Sequence, residues 1–144
     1  MPVIERSALV NFSAQQMFDL VNDIERYPEF MQGCRSARVI SHSSSELEGE
    51  LTLAAAGIQQ TFTTRNTLHE PERIDMVLVS GNFKSFAACW QFQTLSSDAC
   101  KVSLHMDFEF DHALVDLAAE KLFSSVANSQ VDSLVARAAV VYGG

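Results

Sequence analysis

From Lys101 to Phe110 the chain is a two-residue repeat. Val102, Leu104, Met106, Phe108 and Phe110 are apolar, and Lys101, Ser103, His105, Asp107 and Glu109 between them are polar. Successive side chains of a strand point to opposite faces, so this segment predicts a strand with one face on a core and the other in water. The same period runs back to about Arg35: Leu51, Leu53 and Ala55 alternate with Thr52 and Ala54, and Ile74, Met76 and Leu78 form one face. Short breaks at Ser43–Glu46, Gly57, Glu70–Glu72, Gly81–Asn82 and Ser96–Ala99 have the length of hairpin connections. With Val3 to Asn11 counted, the reading gives about seven strands, mostly in a meander.

Helical signals flank this region. Ser13 and Gln16 form a capping box, with Phe12 and Met17 as its hydrophobic staple, and Met17, Phe18, Leu20, Val21 and Ile24 follow at helical spacing. Pro28 interrupts the pattern and predicts a break or a second short helix around Tyr27 to Phe30. Residues 112 to 142 contain neither Gly nor Pro, and Ala119, Leu122, Phe123, Val126, Val131, Leu134, Val135, Ala138 and Val141 share one broad stripe. A continuous helix there would be about 45 Å long and would end at Gly143. The order is strand, two short helices, six strands, long helix: an α+β fold in which a curved seven-stranded antiparallel sheet packs around the C-terminal helix. The space between a curled sheet and such a helix is the expected place for a ligand.

The 144 residues, 47% hydrophobic and 19% charged, predict one globular domain over residues 1–144. A net charge of −8 opposes bulk nucleic-acid binding. Cys34, Cys89 and Cys100, odd in number and without CxxC spacing, read as thiols of a reducing compartment, and the N-terminal residues show no signal peptide, so the expected location is cytoplasmic. His42, His69, His105 and His112 have no metal-ligand spacing; the glycines form no phosphate loop; a GxSxG elbow is absent. Asp107, Glu109 and Asp111 read as a solvated acidic edge and not as an acid–base pair. No catalytic or metal residue is assigned.

Several segments together resemble the coenzyme Q-binding START-domain family, which overlaps the bacterial group described as ribosome association toxins and oligoketide cyclases. They are Met17-Phe18-Asp19-Leu20-Val21, Asp23-Ile24-Glu25-Arg26-Tyr27-Pro28-Glu29-Phe30 with Cys34, Phe62-Thr63-Thr64-Arg65-Asn66, Gly81 with Phe83-Lys84, Trp90 with Phe92, Asp107-Phe108-Glu109-Phe110, and Arg137-Ala138 with Val141-Tyr142-Gly143. The resemblance implies a helix-grip (START, Bet v 1-like) fold and a lipophilic pocket suited to a polyprenyl quinone such as ubiquinone, carried in support of respiration. It also implies an alternative, interference with the joining of ribosomal subunits. Gln32-Gly33, Asn82 and Ala87-Ala88 depart from the family pattern.

On this reading the ligand-binding candidates are Tyr27, Phe30, Phe62, Arg65, Phe83, Trp90, Met106, Phe108 and Phe123. Tyr27, Pro28 and Phe30 either line an opening as a stiff lid or simply pack on the sheet. Arg65 shares a side with Thr61, Thr63 and Thr67; facing inward it would donate hydrogen bonds to a carbonyl head group, facing outward it would pair with a neighbouring strand. Lys84 poses the same question. Trp90 with Phe86 and Phe92 is either core or a stacking surface, and Met106, Phe108, Phe110 and Phe123 form the expected apolar wall. Arg137 and Tyr142 are expected to close the domain. The expected partners are a hydrophobic small molecule, a ribosomal subunit in the alternative reading, and transiently the inner membrane surface; a bound ubiquinone or other lipid is the one non-protein component implied. Cyclase chemistry would need an acid or base inside, and the inward positions assigned from the pattern are apolar.

Overall fold

The computed structural model describes residues 3–55, 57–113 and 117–143. Seven antiparallel strands form one sheet: β1 (Val3–Val10), β2 (Cys34–His42), β3 (Glu46–Ala55), β4 (Ile58–His69), β5 (Arg73–Ser80), β6 (Phe83–Ser96) and β7 (Ala99–Phe110). Their order in space is β1-β7-β6-β5-β4-β3-β2. β2 to β7 are a meander, and β1 closes the sheet by pairing with β7 from Val3↔Asp107 to Val10↔Cys100. β1 and β2, consecutive strands of the chain, therefore lie on opposite edges. Helix α1 (Ala14–Asn22) and a 3₁₀ helix (Ile24–Glu29) carry the chain across between them.

The capping box forms as expected. Gln16 N–H donates to Ser13 Oγ at 3.1 Å, and Ser13 N–H donates to Gln16 Oε1 at 2.9 Å. These bonds satisfy two donors that a helix start leaves open. Pro28 falls inside the 3₁₀ helix, where its fixed φ is tolerated and a longer α-helix would not be. Ala14, Met17, Phe18, Leu20 and Val21 are the buried face of α1.

Helix α2 spans Leu117–Tyr142 and is about 39 Å long at 1.5 Å per residue. The expected helix began five residues earlier; His112 and Ala113 lie in a turn, and residues 114–116 fall outside the described residues. Its inner stripe is Phe123, Val126, Ala127, Gln130, Val131, Leu134 and Ala138. Val141, placed on that stripe from the sequence, is 48% exposed. The contact at this end is made by Tyr142, whose hydroxyl donates to the Gln16 carbonyl at 3.0 Å.

Strict alternation fails at bulges, and the one in β6 shapes the interior. A register shift between Phe83 and Ser85 puts Phe83 on the same inward face as Phe86. Gly81, at φ +146°, makes the preceding turn, and a Cβ there would come within 2.8 Å of Phe62 Cβ.

Candidate ligand-binding interior

The layer between sheet and α2 has two parts. At one end, six of the ten phenylalanines (Phe62, Phe83, Phe86, Phe108, Phe110 and Phe123) form a contiguous cluster with ring centroids 5.0 to 6.4 Å apart. Most of these pairs are tilted or edge-to-face, the arrangement the ring quadrupole favours. Phe123 of α2 touches the other five and joins helix to sheet.

Next to this cluster lies a small internal cavity of about 20 Å³, between the 3₁₀ helix, β3 to β6 and α2. Its apolar lining includes Ile24, Ile74 and Trp90; its polar lining is Tyr27, Thr64, Asn66 and Gln130. Thr64, Asn66 and Gln130 are buried, and Thr64 Oγ1 donates to Asn66 Oδ1 at 2.9 Å. The Tyr27 hydroxyl donates to the Val21 carbonyl, and burial raises its ionisation far above the usual phenol range. Tyr27 is therefore a neutral donor. The volume suffices for about one water. The oily gap expected from the layer arrangement is thus nearly filled: the aromatic side chains that were to wall it occupy it.

The 3₁₀ helix is fastened from three sides. Tyr27 and Phe30 meet edge-to-face at 5.8 Å, the Arg137 guanidinium lies 5.2 Å from the Phe30 centroid, and Arg137 Nη2 reaches Glu29 Oε1 at 2.9 Å. Arg26 also pairs with Glu29 at 2.9 Å, and the two cations hold the Glu29 carboxyl below its ordinary range. Glu25 accepts the Val39 N–H of β2 at 3.0 Å. Arg137 does close the fold through an acidic partner, whereas Tyr142 does so through a backbone carbonyl.

Of the nine candidates, Tyr27 and Trp90 line the cavity, and Phe62, Phe83, Phe108 and Phe123 form most of the aromatic cluster. Met106 is buried on the inner face of β7, opposite Ala88. Phe30 sits half-buried behind Tyr27, outside the cavity. Arg65 belongs elsewhere. It is exposed on the outer face, paired with Glu48 of β3 at 3.2 Å, so the inward alternative is corrected to the cross-strand pair. Lys84 is likewise exposed.

Pattern reading missed Gln60, Thr64, Asn66 and Gln130, all buried. The assignment of inward positions as apolar is corrected accordingly. The signal was available: Gln60, Phe62, Thr64 and Asn66 share one parity on β4, and Gln130 lies between Ala127 and Leu134 on the helix stripe. Among the described residues the buried polar side chains are amides and threonines, with no carboxylate or imidazole. Asp107 lies on the outer face, 2.8 Å from His105, whose other nitrogen is 2.9 Å from Glu5. The thiols of Cys34 and Cys89 are pushed up to about 11, chiefly by burial, and so stay protonated at neutral pH. A larger depression of about 650 Å³, lined by Glu5, Cys89, Lys101 and His105, is an open hollow on the outer face of the sheet.

A curved antiparallel sheet gripping a long C-terminal helix, with an aromatic interior and a small polar-lined cavity, defines a START-type helix-grip protein. Residues 10–135 match the family described as polyketide cyclase / dehydrase and lipid transport, and the chain belongs to it. It is 43% identical over 143 residues to the ribosome association toxin RatA of Vibrio cholerae, covering 99% of each chain. It is 24% identical over 141 residues to the mitochondrial coenzyme Q-binding protein COQ10 homolog B of Xenopus laevis, covering 95% of this chain and 58% of that protein. Among solved structures, the Zhui aromatase/cyclase from Streptomyces sp. R1128 superposes with a TM-score of 0.80 at 19% identity, over 99% of this chain and 98% of the other. A START superfamily protein from Mycobacterium smegmatis gives 0.76 at 18%, over 94% and 95%. At those identities the structural likeness speaks for the fold alone.

Proposed function

We propose that this protein binds a hydrophobic small molecule between the sheet and α2, and that the guest is a polyprenyl quinone or a lipid of similar shape. The observation that carries this reading is the interior itself, which holds a six-phenylalanine cluster and a cavity edged by Tyr27, Thr64, Asn66 and Gln130. Such an interior offers apolar surface to most of a guest and a few directed hydrogen bonds to its polar groups. Because the cavity is only about 20 Å³, a guest must displace rings of the cluster or lift the 3₁₀ helix. Tyr27, Phe30, Phe62, Phe83, Trp90, Met106, Phe108 and Phe123 remain the proposed contacts; Arg65 does not. Among the described residues no helix is long and apolar enough to cross a membrane, so loading from a bilayer would be by peripheral contact. The test is organic extraction of the purified protein with mass spectrometry of the extract, alongside titration with a short-chain quinone. Co-purified quinone or saturable binding is expected; neither appearing would end the reading.

The similarity to proteins named ribosome association toxin, 41–43% identical in several bacteria, favours a second reading, action on ribosomal subunit joining. The surface constrains its form. Arg26, Arg38, Arg65, Arg73 and Arg137 are each paired with a carboxylate and the net charge is −8, so contact with a ribosomal protein fits better than a grip on rRNA phosphates. Overexpression followed by sucrose-gradient profiling decides it: free subunits should accumulate, and an unchanged profile removes the reading.

A further inference from the structure

Gln60 is 6% exposed, and neither its Nε2 nor its Oε1 has a hydrogen-bond partner. A primary amide held this way gives up its bonds to water and receives none in return, which costs stability. Its neighbours on the same face of β4 do not share the problem, since Thr64 and Asn66 satisfy each other. The position is also well defined. Gln60 pairs with Leu53 of β3; the next residue, Ala54, donates its N–H to the Gly33 carbonyl at 2.9 Å; and Gly33 lies directly under Val126 and Leu122 of α2. The amide therefore sits two residues from Phe62, at the aromatic end of the interior and apart from the Tyr27 cavity. Beside it, an open depression of about 500 Å³ lined by Gly33, Cys34, Ala54 and Gln59 brings solvent up to the adjacent residue.

An amide presents a donor and an acceptor side by side. Its complement is a group that accepts and donates at nearly the same point. A quinone carbonyl only accepts and would leave Oε1 unpaired, whereas a hydroxyl on an aromatic or enolic carbon does both. We propose that Gln60 is a head-group anchor that selects a phenolic or enolic hydroxyl, so that of a quinone pair the reduced form is the preferred guest. This rests on the interior-binding reading above and adds to it the redox state of the cargo.

The test is calorimetric titration of the wild-type protein and of Gln60→Leu with decylubiquinone and decylubiquinol under anaerobic conditions. Wild type should bind the quinol about tenfold more tightly than the quinone, the value of one well-made hydrogen bond in an apolar site. Gln60→Leu should lose that preference, while its Tm rises because the orphaned amide is gone. Equal affinities of the two probes for wild type overturn the proposal whether or not the variant folds, as does a preference that survives in Gln60→Leu. If neither probe binds wild type, the interior-binding reading itself fails.

Discussion

Thr64 and Arg65 are adjacent in β4, yet one is buried against Asn66 and the other pairs with Glu48 in solvent. Neighbouring residues of a strand point to opposite faces away from bulges, so an error of one position exchanges a head-group ligand for a surface ion pair. A Thr-rich strand has no apolar alternation to reveal which parity faces inward. Thr64→Val keeps the shape and removes the donor, leaving Asn66 Oδ1 buried without its partner. The expected loss is about 1–3 kcal/mol of unfolding free energy by denaturant titration, larger than for an outer-face Thr61→Val.

Two elements depend on identifiable contacts. Edge strand β1 is clipped to β7 through His105, whose ring nitrogens meet Glu5 and Asp107, and the two carboxylates raise its folded-state pKa above the ordinary 6.5. A raised histidine contributes fully below the unfolded value and loses the contribution as pH climbs through the folded one. Wild type should therefore lose a small increment of Tm as the pH rises above about 6.5 that His105→Gln does not lose; the increment is small because the cluster is half-exposed. Helix α2 docks on Gly33, which has φ +89° and would place a Cβ 2.6 Å from Val126 Cγ2. Gly33→Ala combines backbone strain with that overlap and should cost about 1–3 kcal/mol, measured by chemical denaturation.

At the scale of the molecule the interior is closed, and Phe123 is the ring that closes it. Phe123→Ala should destabilise by about 3–5 kcal/mol and, at a temperature where it remains folded, bind an apolar fluorescent dye that wild type excludes. A variant equally destabilised but dye-silent would mean that the sheet and α2 collapse together and leave no chamber.

The amino-acid sequence by itself determined the layers. A two-residue period ending in Val102 to Phe110, turn residues at every hairpin, a capping box at Ser13 and a Gly- and Pro-free C-terminal stretch are local signals, and each acts through the residues next to it. Only the tertiary structure decided the content of the interior. Whether the space between sheet and helix is open depends on the Phe83 bulge, on the depth at which α2 settles over Gly33, and on how six rings from four elements interlock. Those are long-range packing relations, and neither composition nor period encodes them. Gln60 shows the same division: its parity could be read along the strand, but its lack of a partner exists only once every neighbour is in place.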